Sequence, residues 1–117
     1  MATTTFQRKP RAQPRRAVDP NLARFRRVLR RRLPKLRETH GVRSLWLFGS
    51  HVRGEARKRS DLDVLVEFDD LSRLSLFEFI GLENQLSDWL GVRVDLVEKG
   101  GLKPAIGQNV MREAVPV

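Results

Sequence analysis

A Gly-Ser pair and an Asp-x-Asp pair, ten residues apart and each attached to a strand, constrain this chain more than anything else in it. Leu45-Trp46-Leu47-Phe48 is a short apolar run that stops at Gly49-Ser50, and it reads as a buried strand ending in a turn. Glycine lets the backbone come close to a ligand. Ser50 is a preferred cap for a short helical turn running through Val52 and Arg53. The N–H groups at such a helix start carry partial positive charge and suit a triphosphate. Asp61 to Phe68 reads as a second strand, whose period of two places Asp61, Asp63 and Leu65 on one face and Leu62, Val64 and Val66 on the other.

Two aspartates on one strand face repel each other, and a divalent cation offsets that repulsion directly. Hard oxygen ligands on an open site favour Mg2+ or Mn2+ completed by water and phosphate oxygens. The alternative is a strand edge whose carboxylates are solvated or paired with Arg57, Lys58 or Arg59. A third carboxylate tips the balance toward the metal. Gly91 to Val97 reads as a third strand, alternating Val92, Val94 and Leu96 against Arg93, Asp95 and Val97. Laid beside the second strand, it brings Asp95 toward Asp61 and Asp63. In phosphoryl-type transfer, two metals clamp the attacking and leaving oxygens while a nearby carboxylate takes the proton of the attacking hydroxyl. Pairing of Asp95 with Arg93 is the competing reading.

The rest of the chain supplies helices around these strands. Asp19-Pro20-Asn21 signals a helix start, with Asp19 as cap and Pro20 in the first turn. Leu22, Phe25, Val28, Leu29, Leu33 and Leu36 then recur near helical spacing, and Pro34 is expected to interrupt or kink that helix before Gly41. Ser75 to Leu90 reads as a second long helix capped by Ser75, with Leu76, Phe79, Ile80, Glu83, Leu86 and Leu90 along its length and Gly91 closing it. Phe77, Leu82 and Trp89 widen its apolar surface; sheet-facing core and contact with a partner or second copy are the two readings. A last helix is expected from about Lys103 to Ala114. The fold class is therefore α/β, in the order α-β-α-β-α-β-α, with a mixed three-stranded sheet backed by helices.

Charge divides the chain at its first third. Residues 1–40 hold thirteen Lys or Arg and two acids, whereas residues 41–117 hold ten and twelve. Residues 1–18, rich in Arg, Pro, Thr and Gln, read as a disordered basic arm, and residues 19–117 as one domain. Clustered Arg attracts phosphate irrespective of sequence, so the arm suits nucleic acid or an acidic partner surface. It lacks interleaved aromatics for base stacking, and a solvated charge run is the plainer reading. No secretory or twin-arginine pattern and no membrane-spanning stretch is evident. The absence of cysteine excludes disulfides and Cys-based metal sites and suits a cytoplasmic protein.

The segment from Leu47-Phe48-Gly49-Ser50 through Arg53-Gly54-Glu55-Ala56 to Ser60-Asp61-Leu62-Asp63 resembles the minimal nucleotidyltransferase (MNT) family of the DNA polymerase β superfamily. The likeness extends over about residues 36 to 117 and is greatest to the MNT antitoxins that partner HEPN-domain toxins in toxin–antitoxin modules. It implies a small polymerase-β-like nucleotidyltransferase fold and Mg2+-dependent transfer of AMP from ATP, with two Mg2+ ions. It also implies a tyrosine hydroxyl of a HEPN toxin as acceptor, the added AMP silencing that RNase. Residue by residue, Gly49 and Ser50 would hold the β- and γ-phosphates. Asp61 and Asp63 would bind metal, and Asp95 would be third ligand and base. Arg53 would neutralise phosphate charge or serve as an ordinary surface Arg. His51 is read as incidental. The chain has no tyrosine, so a tyrosine acceptor must lie on a different protein. Homo- and hetero-oligomeric assembly both stay open. A small-molecule nucleotidyltransferase and a non-catalytic antitoxin or nucleic-acid-binding module led by the arm are the alternatives.

Overall fold

The structure, a computed structural model, describes residues 19–69 and 74–117. The expectation of a disordered arm over residues 1–18 lies outside the described residues. In chain order the elements are α1 (Leu22–His40), β1 (Val42–Phe48), α2 (Ser50–Arg53), β2 (Leu62–Phe68), α3 (Leu76–Leu90), β3 (Val94–Glu98), a 3-10 turn (Lys99–Gly101), α4 (Pro104–Glu113) and β4 (Val115–Pro116). The alternation of helices and strands follows the expected order. The sheet, however, has four strands rather than three, in the order β3-β2-β1-β4. The extra strand is two residues long and contains Pro116, so no alternation could announce it. It forms because Trp46 and Leu47 of β1 present an open edge to Pro116 and Val115.

β1 and β2 are antiparallel, with Phe48 opposite Asp63 at the end of the ladder. β2 and β3 are parallel, with Leu62 opposite Val94, Asp63 opposite Asp95 and Val64 opposite Leu96. The sheet is therefore mixed. Its apolar face carries Leu45, Leu47, Leu62, Val64, Val66, Val94 and Leu96 into a core closed by Phe25, Leu29 and Leu36 of α1 and Leu82, Leu86 and Leu90 of α3. β3 begins three residues later than expected because Gly91 takes the left-handed conformation that terminates α3.

Helix boundaries show where local chemistry prevailed and where it did not. Ser75 caps α3 as expected and completes a reciprocal box: its hydroxyl accepts from the Glu78 N–H, and Glu78 accepts from the Ser75 N–H. Asp19 does not cap α1. Its Oδ1 instead accepts from the Asn21 N–H at 2.8 Å and its carbonyl from the Leu22 N–H at 2.9 Å, forming a turn ahead of the helix. Pro34 does not interrupt α1, which runs unbroken from Leu22 to His40. Pro34 and Arg30, whose carbonyl loses its helical donor, are both exposed, which leaves that carbonyl open to solvent while Leu29 and Leu36 stay anchored in the core.

α3 uses a different stripe from the one its periodicity suggested. Leu82, counted among the surplus, is core, whereas Leu76 and Phe77 are 72% and 87% exposed and Ile80 is also exposed. Glu83 and Ser87, on the same helix, accept from the backbone N–H groups of Leu96 at 2.8 Å and Val94 at 2.9 Å. These are outward donors of the edge strand β3, and covering them protects that edge from pairing with another chain.

Candidate active site

β1 delivers Gly49 to the mouth of the sheet, and register delivers Asp63 to the same place. Gly49 is buried with φ +85° and ψ −157°, a backbone region open essentially only to glycine. A Cβ built there would fall 2.0 Å from Asp63 Oδ2. The Gly-Ser turn and the acidic strand are therefore in direct contact. Ser50 opens α2, and Gly54, at φ +75°, ends it after a single turn.

Asp63 and Asp95 are lateral neighbours across the parallel β2–β3 pair. Burial, repulsion from Asp95 and repulsion from Asp61, in that order, push the Asp63 carboxyl up to about 6, against opposing pulls from His51 and Arg53. Asp61 precedes β2, with its carboxylate 4.0 Å from Arg93 Nε in a solvent-exposed pair that adds little. Asp95 is exposed. Arg93 thus leans toward Asp61 rather than Asp95. Arg57, Lys58 and Arg59 remain exposed on the loop before β2.

The donor chemistry fits a hard divalent cation: Asp63 is raised by burial first and by repulsion from Asp95 and Asp61 after it, and a cation would relieve that repulsion. Among the described residues, though, no group of three His, Cys, Asp or Glu side chains is close enough to hold a metal by itself. Such a sparse arrangement matches the habit of Mg2+, which takes one or two carboxylates and completes its shell with water and phosphate oxygens.

Two residues to which the sequence reading assigned no part enter the site. Glu113, at the end of α4, accepts the Gly49 N–H through Oε2 at 2.7 Å and the Arg53 guanidinium at 3.0 and 3.1 Å. Arg53 also donates to Glu55 at 2.8 Å, and these two carboxylates raise its pKa further. The groups expected to meet phosphate, the Gly49 amide and Arg53, are both held by Glu113 here. A cavity of about 260 Å3 lies at this junction, lined by Phe48, Gly49, Arg53, Asp63, Asn109, Val110 and Glu113. The other newcomer is His51. Far from incidental in its packing, it is 6% exposed and bonded to Asp19 and to the Ser60 carbonyl. A larger cavity of about 450 Å3 beside His51 is lined by Asp19 and Ser60 but by none of Asp61, Asp63 and Asp95; the chemistry places the site at the smaller one. No local signal marks either residue, since each partner lies nine or more positions away along the chain. No helix among the described residues is long and apolar enough to cross a membrane.

Comparison with known proteins places this geometry in context. A family model described as "Nucleotidyltransferase domain" matches residues 23–117. The protein adenylyltransferase MntA of Thermococcus cleftensis is 52% identical over 83 residues, spanning 71% of this chain and 82% of that protein. A solved structure provisionally described as a minimal nucleotidyltransferase has 42% identity and a TM-score of 0.63, covering 81% of this chain and 90% of the other. A toxin–antitoxin crystal structure with AMP-PNP has 25% identity and a TM-score of 0.60, covering 74% of this chain and 69% of the matched one.

Proposed function

The chain belongs to the nucleotidyltransferase domain family, and we propose that within it the protein is an adenylyltransferase acting on a HEPN-type toxin. The observation that carries this reading is the contact of Gly49 with Asp63, beside Asp95, in a chain 52% identical to a protein adenylyltransferase. The AMP-PNP in the toxin–antitoxin relative supports ATP as the nucleotide and a toxin as the partner, which makes the working assembly a hetero-oligomer.

In this reading Gly49 and Ser50 receive the β- and γ-phosphates, and Arg53 turns from Glu113 and Glu55 toward them. Asp61, Asp63 and Asp95 would hold Mg2+, which when bound supplies charge neutralisation at the transferring phosphate. Asp95, exposed at the mouth, accepts the proton of the incoming hydroxyl. The hydroxyl oxygen bonds to the α-phosphorus, the bond from that phosphorus to the bridging oxygen breaks, and pyrophosphate leaves. AMP remains esterified to the acceptor. The absence of tyrosine from the chain excludes a self-directed tyrosine reaction, which is consistent with an acceptor in trans. The basic segment ahead of the domain contributes salt-sensitive attraction to an acidic surface or to nucleic acid.

Incubation with labelled ATP, Mg2+ and a candidate HEPN toxin tests this directly. Label is expected on the toxin, and Asp61→Ala is expected to abolish it. Toxin neutralisation undiminished by Asp61→Ala would overturn the enzymatic reading in favour of neutralisation by contact.

A further inference from the structure

Among the described residues a single polar side chain is buried, His51. It follows Ser50 immediately, and the carbonyl it meets belongs to Ser60, immediately before Asp61. The β1–β2 ladder ends at Phe48 opposite Asp63, so the ten residues between Ser50 and Asp61 lie beyond it. One imidazole bridges that gap. Its Nε2 stands 3.2 Å from the Ser60 carbonyl, its Nδ1 contacts Asp19 Oδ2, and its ring meets Phe25 edge-on at 5.7 Å.

A carbonyl and an ionised carboxylate are both acceptors, so one ring serves both only with a hydrogen on each nitrogen. Hydrogen bonds to Asn21 and His51 hold Asp19 below the usual carboxylate range despite its burial. Its geometry is fixed as well, because Oδ1 is already engaged by the Asn21 N–H. The loop closes on itself too: the Arg57 N–H donates to the Ser60 hydroxyl at 2.7 Å, and the Ser60 N–H to the Arg57 carbonyl at 3.0 Å. The Glu55 N–H donates to the Ser50 carbonyl at 2.8 Å. Of these links, the one from His51 Nε2 to the Ser60 carbonyl joins the residue beside the nucleotide turn to the residue beside the acidic pair, and the others hold its two ends in place.

We propose that the Asp19–His51 pair is a positioning device for the transfer reaction, setting the distance between Ser50 and Asp61 across the loop that separates them. This rests on the adenylyltransferase reading. The turn binds the triphosphate, and Asp61 and Asp63 act on the phosphate that is transferred. Fixing their separation therefore governs the chemical step more than binding. Misplacement on the scale of an ångström slows such a step by up to about a hundredfold.

The test separates binding, transfer and local order. His51→Ala is expected to bind Mg·ATP within about threefold of the wild type yet label the toxin at least about tenfold more slowly in single-turnover assays, below its own unfolding temperature. His51→Gln, which keeps a donor, should recover part of the rate. Asp19→Ala added to His51→Ala should slow transfer no further, because the pair acts as a unit. Wild-type transfer in the single variants, parallel loss of binding and transfer, or full additivity would each overturn the proposal. Should His51→Ala fail to fold, Asp19→Asn takes its place. A readout without activity keeps this apart from the proposed function. The Ser50 and Asp61 amides should exchange hydrogen faster in Asp19→Asn, and the ring nitrogens of His51 should both report attached hydrogen in 15N spectra of the wild type. Unchanged exchange would overturn the positioning role, whereas a wild type that binds Mg·ATP but labels no toxin overturns only the proposed function.

Discussion

The Gly49 N–H donates to Glu113 Oε2 at 2.7 Å, joining the Gly49-Ser50 turn to the last turn of α4 across 64 residues. The same oxygen accepts from Arg53 at 3.0 Å. A carboxylate thus occupies the donors assigned to phosphate in the proposed function. Glu113→Gln keeps an acceptor but removes the charge, so Mg·ATP affinity measured by calorimetry is expected to rise about tenfold, equivalent to about 1.4 kcal/mol. Unchanged or weaker binding would show that Glu113 supports the turn rather than competing for it.

Gly49→Ala should fail for two reasons at once. The backbone sits at φ +85°, ψ −157°, which costs a side-chain-bearing residue about 1–3 kcal/mol. The new methyl would also meet Asp63 Oδ2 at 2.0 Å, so the carboxylate has to move. Urea unfolding should report a loss of at least about 1 kcal/mol, with labelling of the toxin abolished. A variant within about 0.5 kcal/mol of wild type would refute the strain.

Asp63 links pH to both stability and binding. Its carboxyl titrates near 3.8 when unconstrained and about 6 in the fold, so the native state binds more protons between those values. Stability therefore falls as pH rises from about 4 to 6, and the loss persists above that window. Asp63→Asn removes the repelled charge. Thermal melts should show it more stable than wild type at pH 7.5, with the advantage shrinking toward pH 4.5, while transfer is lost. Conversely, Mg·ATP binding to wild type should strengthen as pH rises through about 6, where protons cease to compete. A pH-independent difference between the two melting curves would contradict this assignment.

Ser75→Ala isolates a purely local contribution. It removes the acceptor for the Glu78 N–H and half of the capping box that starts α3. Destabilisation of about 1 kcal/mol in urea is expected, with toxin labelling per folded molecule unchanged. A change in labelling would mean that the start of α3 communicates with the site.

Legibility followed the range over which each residue is held. Leu62, Val64 and Val66 alternate and are buried, as are Leu45 and Leu47, but Leu65 on the opposite face of β2 is buried too, so strand period gives the face and not the burial. Ser75 announced a helix because a cap bonds three residues ahead. Leu76 and Ile80 misled, since helical spacing identifies a stripe without saying how far along it the sheet extends. Asp19 misled for another reason: its Oδ1 serves a turn ahead of the helix, and its Oδ2 contacts His51, 32 positions away.

By itself the sequence determined the α/β order and the strand that stops at Gly49, because these depend on local stereochemistry and repeating burial. The tertiary structure alone decided that Val115–Pro116 closes the sheet edge, that Glu113 reaches the turn, and that His51 ties Ser60 to Asp19. Those contacts join segments with no shared periodicity, and they come into being only when the packed core brings distant polar groups within bonding distance.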